Sequence, residues 1–166
     1  MTRIGRRQLL HGTLASAALA VARPARAADV GDAARTAMAR AATALLSALD
    51  AGQRRAAVFP FVNDERMNWH YVPRSRSGVA FKEMSAAGRA AAHELIKASL
   101  SEVGYAKVVN VMKLEDVLRE LETFGGLLRD PEKYYVSLFG TPDAAGRWGW
   151  RLEGHHLSLN FTLVPG

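Results

Sequence analysis

The chain has 166 residues, with 22 lysines and arginines against 16 acids, a formal charge of +6, and no cysteine. Without cysteine it can form neither disulfides nor thiolate metal sites. Five of the arginines (Arg3, Arg6, Arg7, Arg23, Arg26) and none of the acids fall in the first 27 residues, leaving 17 bases against 16 acids, a near balance that argues against a nucleic-acid partner.

Those first 27 residues read as a twin-arginine signal peptide. Arg6-Arg7 precede Leu9-Leu10, and a weak apolar stretch from Leu9 to Val21 is diluted by His11, Gly12, Thr13 and Ser16. Ala25-Arg26-Ala27 is a small-residue cleavage site, which places the cut before Ala28. The alternative is an ordinary secretory signal with a chance arginine pair. The apolar run falls short of the roughly 20 residues of a membrane span. The expected destination is the periplasm or the exterior, with the export machinery as a partner and no membrane span after cleavage. The 139 residues that follow suit one domain.

Val30 to Ala51 places Met38, Leu45, Leu46 and Leu49 at helical spacing, with Gly52 as the expected stop. Phe59 precedes a proline and is therefore extended. Asn63 to Arg66 reads as a turn, Met67 to Val72 as a short strand, and Arg74 to Gly78 as a loop. Ser85 can cap a helix reaching about Leu100. A further helix covers Ala106 to Glu122, with a break expected near Lys113 and a stop at Gly125-Gly126. Its apolar stripe is Leu114, Val117, Leu118 and Leu121. Its charges, Glu115 among them, read as a solvated face. The period then changes to two: Tyr134–Phe139, Trp148–Leu152 and His155–Leu163 read as strands. Helices first and strands after predict an α+β domain, with N-terminal helices packed on a C-terminal antiparallel sheet.

Two segments concentrate the residues that carry chemistry. Asn68 to Arg74 and Trp148 to Asn160 hold all three tryptophans, and three of the four histidines beyond the signal. Alternation along the last strand puts His155, Leu157, Leu159 and Phe161 toward the core, and His156, Ser158 and Asn160 on a polar face. Adjacent strand residues point opposite ways, so His155 and His156 share one ion only if a bulge at Gly154 breaks the register. His70, Glu153 and His156 are the candidate catalytic residues, since imidazole and carboxylate move protons near neutrality. Trp69, Tyr71, Trp148 and Trp150 can wall a ligand by stacking, and Arg74, Arg151 and Asn160 can bind its polar groups. His155 and His156 are the candidate metal ligands. His70, Glu153 and one of the paired histidines are expected to line a common cleft with Trp69 or Trp148 as its wall. Each of these histidines and aromatics has a purely structural alternative, as a hydrogen-bonded or packed core residue. None of the spacings matches a zinc-protease, serine-hydrolase or phosphate-loop motif.

The runs FPF at 59–61, NWHYVPR at 68–74, LEDVLRELE at 114–122, YYVSLFG at 134–140 and WGWRLEGHHLSLNF at 148–161 resemble the family known as domain of unknown function 3500. The likeness extends over essentially the whole chain beyond the signal. It implies a domain to which a second half is usually attached after the NF strand, so that this chain corresponds to the N-terminal part. It implies no activity and no catalytic residues. The sequence therefore predicts an exported protein acting on a small molecule, as an enzyme that uses a divalent transition metal. The alternatives are a non-catalytic domain that binds a sugar or aromatic ligand, or a truncated remnant without activity.

Overall fold

A computed structural model describes residues 27–122 and 129–165. The expected signal peptide up to Arg26, and the expected helix stop at Gly125-Gly126, lie outside them. Helix α1 (Ala27–Ala48) buries Ala39, Ala42 and Leu45 at spacings of three, with Leu49 following its last turn. The helical stretch does not run on to Gly52. Asp50 accepts from the Gln53 amide at 2.8 Å, and the Gln53 side chain accepts from the Asp50 amide at 3.1 Å. This capping box restarts the chain as α2 (Ala51–Ala57), with Gly52 inside it.

Strand β1 (Val58–Phe59) leads into a 3-10 turn over Asp64–Met67, at the turn expected from Asn63 to Arg66, but the strand expected from Met67 to Val72 does not form. Asn63 caps the turn by accepting from Glu65 N at 2.8 Å. The following backbone carbonyls find no ladder. Those of His70 and Val72 accept instead from the Arg76 guanidinium, at 2.8 and 3.0 Å. One arginine thus satisfies groups that a neighbouring strand would have taken.

After β2 (Val79–Ala80), helix α3 (Ala86–Ser99) starts at its expected cap, with Ser85 Oγ accepting from Gly88 N at 3.1 Å. Helix α4 (Glu102–Leu121) begins earlier than expected because Ser101 caps it in the same way, and it passes Lys113 without a break. Its buried side is not the expected one. Val108, Met112 and Glu115 are buried, while Leu114, Val117 and Leu121 are exposed. Apolar side chains occupy two sides of this helix, so periodicity alone left the choice of face open.

Strands β3 (Tyr135–Phe139), β4 (Trp148–Glu153) and β5 (Ser158–Leu163) form an antiparallel meander. β1, parallel, and β2, antiparallel, share the other edge of β3. The α+β class holds, although these two short strands precede α3. The register puts Val136, Leu138, Trp148, Trp150 and Leu152 on the face that packs with the helices. Leu159 and Phe161 join them from β5, the side expected from the sequence. Ser137, Arg151 and Glu153 project from the opposite face, yet they are buried. The segment from Phe61 to Gly78 covers them: Ser137 Oγ donates to Ser77 O, and Arg151 donates to the carbonyls of Glu65 and Asn68. Among the described residues, no helix is long and apolar enough to cross a membrane.

Candidate functional site

The chain between β4 and β5 is a hairpin turn, not strand. Gly154 N donates to Leu157 O at 2.8 Å, and His155 and His156 lie between them. Gly154 has to lack a side chain, because a Cβ there would collide with the Tyr134 ring. Freed from strand alternation, the two imidazoles turn the same way and stack with centroids 3.9 Å apart. They face Glu115 of α4. His156 Nδ1 lies 2.8 Å and His155 Nδ1 3.5 Å from Glu115 Oε1. One ligand atom from each of Glu115, His155 and His156 falls within 4.8 Å of the others.

Glu115 is the residue that sequence reasoning missed. Its signal was faint but present: it continues the buried row Val108–Met112 at helical spacing. Its side chain is 3% exposed, and Oε1 has no aligned hydrogen-bond donor despite the nearby imidazoles. A buried carboxylate oxygen left in this state is costly. The Tyr134 hydroxyl near it is also buried and forms no well-aligned hydrogen bond. Burial, and then the charge of Glu115, push the Tyr134 phenol well above its ordinary pKa, so it stays a neutral donor. Arg129 borders the cluster on its other side. Its guanidinium contacts His155 Nδ1 and lies 3.8 Å from Glu115, while two bonds of 2.9 and 2.7 Å tie it to Glu122. Burial first, then His156 and Arg129, lower the pKa of His155 against the pull of Glu115, which favours the neutral imidazole that a metal requires.

Two depressions border this cluster, and a third adjoins them through shared lining residues. One, of about 170 Å³, is lined by Arg74, Arg76, Glu115, Lys133, Tyr134 and His155 among others. A second holds Trp69, His70, Tyr71, His155 and His156, and a third holds Glu65, His70, Arg74, Arg76 and Glu153. His70 thus shares one depression with the paired histidines and Trp69, and another with Glu153. The expected single cleft is divided by the segment 70–76. Trp69 and Tyr71 stand exposed at its rim, with ring centroids 5.9 Å apart. His70 Nε2 meets the Arg74 guanidinium at 3.0 Å.

Glu153 and Arg151 lie beneath the cleft as parts of an ion-pair chain. Glu153 Oε1 accepts from Arg76 Nε at 2.8 Å and from His70 N at 3.3 Å, and its other oxygen is 3.0 Å from Arg151 Nε. Arg151 in turn meets Glu65 Oε1 at 2.6 Å. Burial would raise the pKa of Glu65, but its bonds to Asn68 and Arg151 outweigh this and lower it. The chain ties the 65–76 segment to the sheet and so positions His70. Trp148 does not reach the cleft. It is fully buried, and its indole N–H donates to Asp143 O at 2.9 Å. Trp150 is buried on the same face, and tryptophans on the inner face of a central strand are core, which corrects the expected place of both in the wall. Asn160 is exposed on β5, bonded to Ser158 Oγ at 3.1 Å.

No curated protein and no solved structure matches this chain significantly. A family profile does, over residues 32–166, and the cluster, the cleft and the ion-pair chain all lie within that span. The chain belongs to DUF3500, a family described as protein of unknown function.

Proposed function

We propose that this protein is an exported metal-dependent enzyme acting on a small substrate, with Glu115, His155 and His156 as its metal ligands. The observation that carries the reading is the buried Glu115 carboxylate, held without an aligned donor opposite two imidazoles that a tight turn aims at it. Two histidines and one carboxylate suit zinc or ferrous iron. Three protein ligands beside an open depression leave a position for water or substrate, whereas structural zinc sites close with four. A divalent ion there would supply Lewis acidity, or a bound water of lowered pKa. His70, in the same depression, is the group placed to move a proton, and the Tyr134 hydroxyl is a donor for a developing negative charge. The Arg6-Arg7 pattern supports export in the folded state, which lets a metal be loaded before crossing.

The test is elemental analysis of protein purified from its native host, with calorimetric zinc titration of the wild type, Glu115→Gln and His156→Ala. About one equivalent of metal in the wild type, with affinity reduced at least tenfold in both variants, is expected. Less than a tenth of an equivalent, and no saturable zinc binding, would sink the metal reading. A non-catalytic binding domain would then be the better account, supported by the exposed pair Trp69 and Tyr71.

A further inference from the structure

We infer that the site takes a flat organic anion, a carboxylate or phosphate monoester on an aromatic or similarly planar body. This rests on the metal-centre reading for the position of the reacting group, but the recognition chemistry is separate from the metal. The 170 Å³ depression next to Glu115 carries Arg74, Arg76, Arg129's neighbour His155, and Lys133 along its walls. Arg76 is committed to Glu153, and Asp130 on the same wall is held by Lys82 at 3.4 Å. Arg74 and Lys133 form no ion pair among the described residues, so two cations face a space smaller than the roughly 300 Å³ of ordinary ligand pockets. A bound dication over the single Glu115 carboxylate would add further positive charge. An anionic group of a few atoms is what such a space attracts.

His155 also lines the neighbouring depression, the one bordered by Trp69 and Tyr71. Those rings are 58% and 70% exposed, which for two adjacent aromatics is an uncovered apolar surface. Their faces can receive a planar body by stacking. The metal cluster stands where the two depressions meet. A molecule with its anion between Arg74 and Lys133 and its body on Trp69 and Tyr71 would therefore lay the joining bond beside the cluster.

Trp69 provides the readout, since Trp148 and Trp150 are buried and Trp69 alone of the three is open to a ligand. Purified protein, with and without one equivalent of zinc, is titrated with benzoate, phenyl phosphate, acetate and benzyl alcohol, by tryptophan fluorescence and calorimetry. Benzoate or phenyl phosphate should quench the emission and bind at least fivefold tighter than both benzyl alcohol and acetate. Arg74→Gln and Trp69→Ala should each weaken that binding at least fivefold by calorimetry, and both should leave zinc affinity unchanged. Benzyl alcohol binding within fivefold of both anions, or unchanged affinity in Trp69→Ala, would overturn the inference. Loss of zinc binding alone would instead count against the metal centre, because the anion titration is also read without zinc.

Discussion

Glu115 and His156 meet at 2.8 Å although one belongs to the last helix described and the other to the hairpin between the last two strands. The contact joins the helical layer to the edge of the sheet, and it is built from a buried carboxylate that gains no aligned hydrogen bond on one oxygen. Folding alone does not favour such a group. In metal-free protein, Glu115→Gln should therefore leave the melting temperature unchanged or raise it by a few degrees. Zinc should stabilise the wild type and fail to stabilise the variant. Thermal melts with zinc and with chelator check both arms, and a large loss of stability in chelator would mean that Glu115 is a structural ion-pair residue.

Arg76 links Glu153 to the 70–74 backbone from a side chain only 3% exposed. Arg76→Ala would leave Glu153 short of one of its two cations and three loop carbonyls, those of His70, Val72 and Arg74, without this donor. Breaking a buried pair in this way costs about 3–5 kcal/mol. Urea denaturation should show a loss of that order. The Arg76→Lys variant should recover only part of it, since an ammonium cannot reproduce the fork.

The Glu65 carboxyl titrates below its ordinary value because Asn68 and Arg151 hold the ionised form. A folded-state pKa below the unfolded one contributes stability that is present above the ordinary value and is lost as pH falls through the folded value. The difference in urea midpoint between the wild type and Glu65→Gln should thus be constant above about pH 5 and shrink below the ordinary value of 4.5. A difference that stays flat down to pH 3 would contradict the Glu65–Arg151 pairing.

Gly154→Ala should displace the hairpin, because the new methyl meets the Tyr134 ring. Tyr134 is buried and cannot move outward cheaply, so overpacking of about 1–3 kcal/mol is expected. Zinc affinity should fall with it, since the turn aims both imidazoles. If calorimetry finds wild-type zinc affinity in a folded variant, the turn does not set the histidine geometry.

On α4, Met112→Ala and Leu114→Ala separate the two possible faces. Met112 is 7% exposed and Leu114 48%. Truncating the first should cost about 2–5 kcal/mol. Truncating the second should cost several-fold less, as for surface positions. Equal losses would mean that α4 is turned to the side expected from its leucines.

Local chemistry determined much of this protein. The cap at Ser85, the three C-terminal strands and the inward side of Leu159 and Phe161 follow from a hydrogen-bonding residue at a helix start and from period-two alternation, which act within a few residues. The paired histidines, and the gathering of His70 with Trp69 at a cleft edge, were legible because scarce residue types cluster in two short segments. What lay beyond the sequence depended on contacts between distant segments. α4 carries apolar residues on two sides, and only its packing decided that Val108, Met112 and Glu115 turn inward. The 65–76 segment lost its expected strand because Arg76 and Arg151 supply hydrogen bonds to its carbonyls from elsewhere in the fold. His155 and His156 point the same way because Tyr134 packs against Gly154 and the chain turns there, and periodicity cannot register a turn that a remote ring enforces. The proposed metal-ligand set needed all of these together: one residue from a helix and two from a hairpin, brought to one place by burial of the surfaces between them.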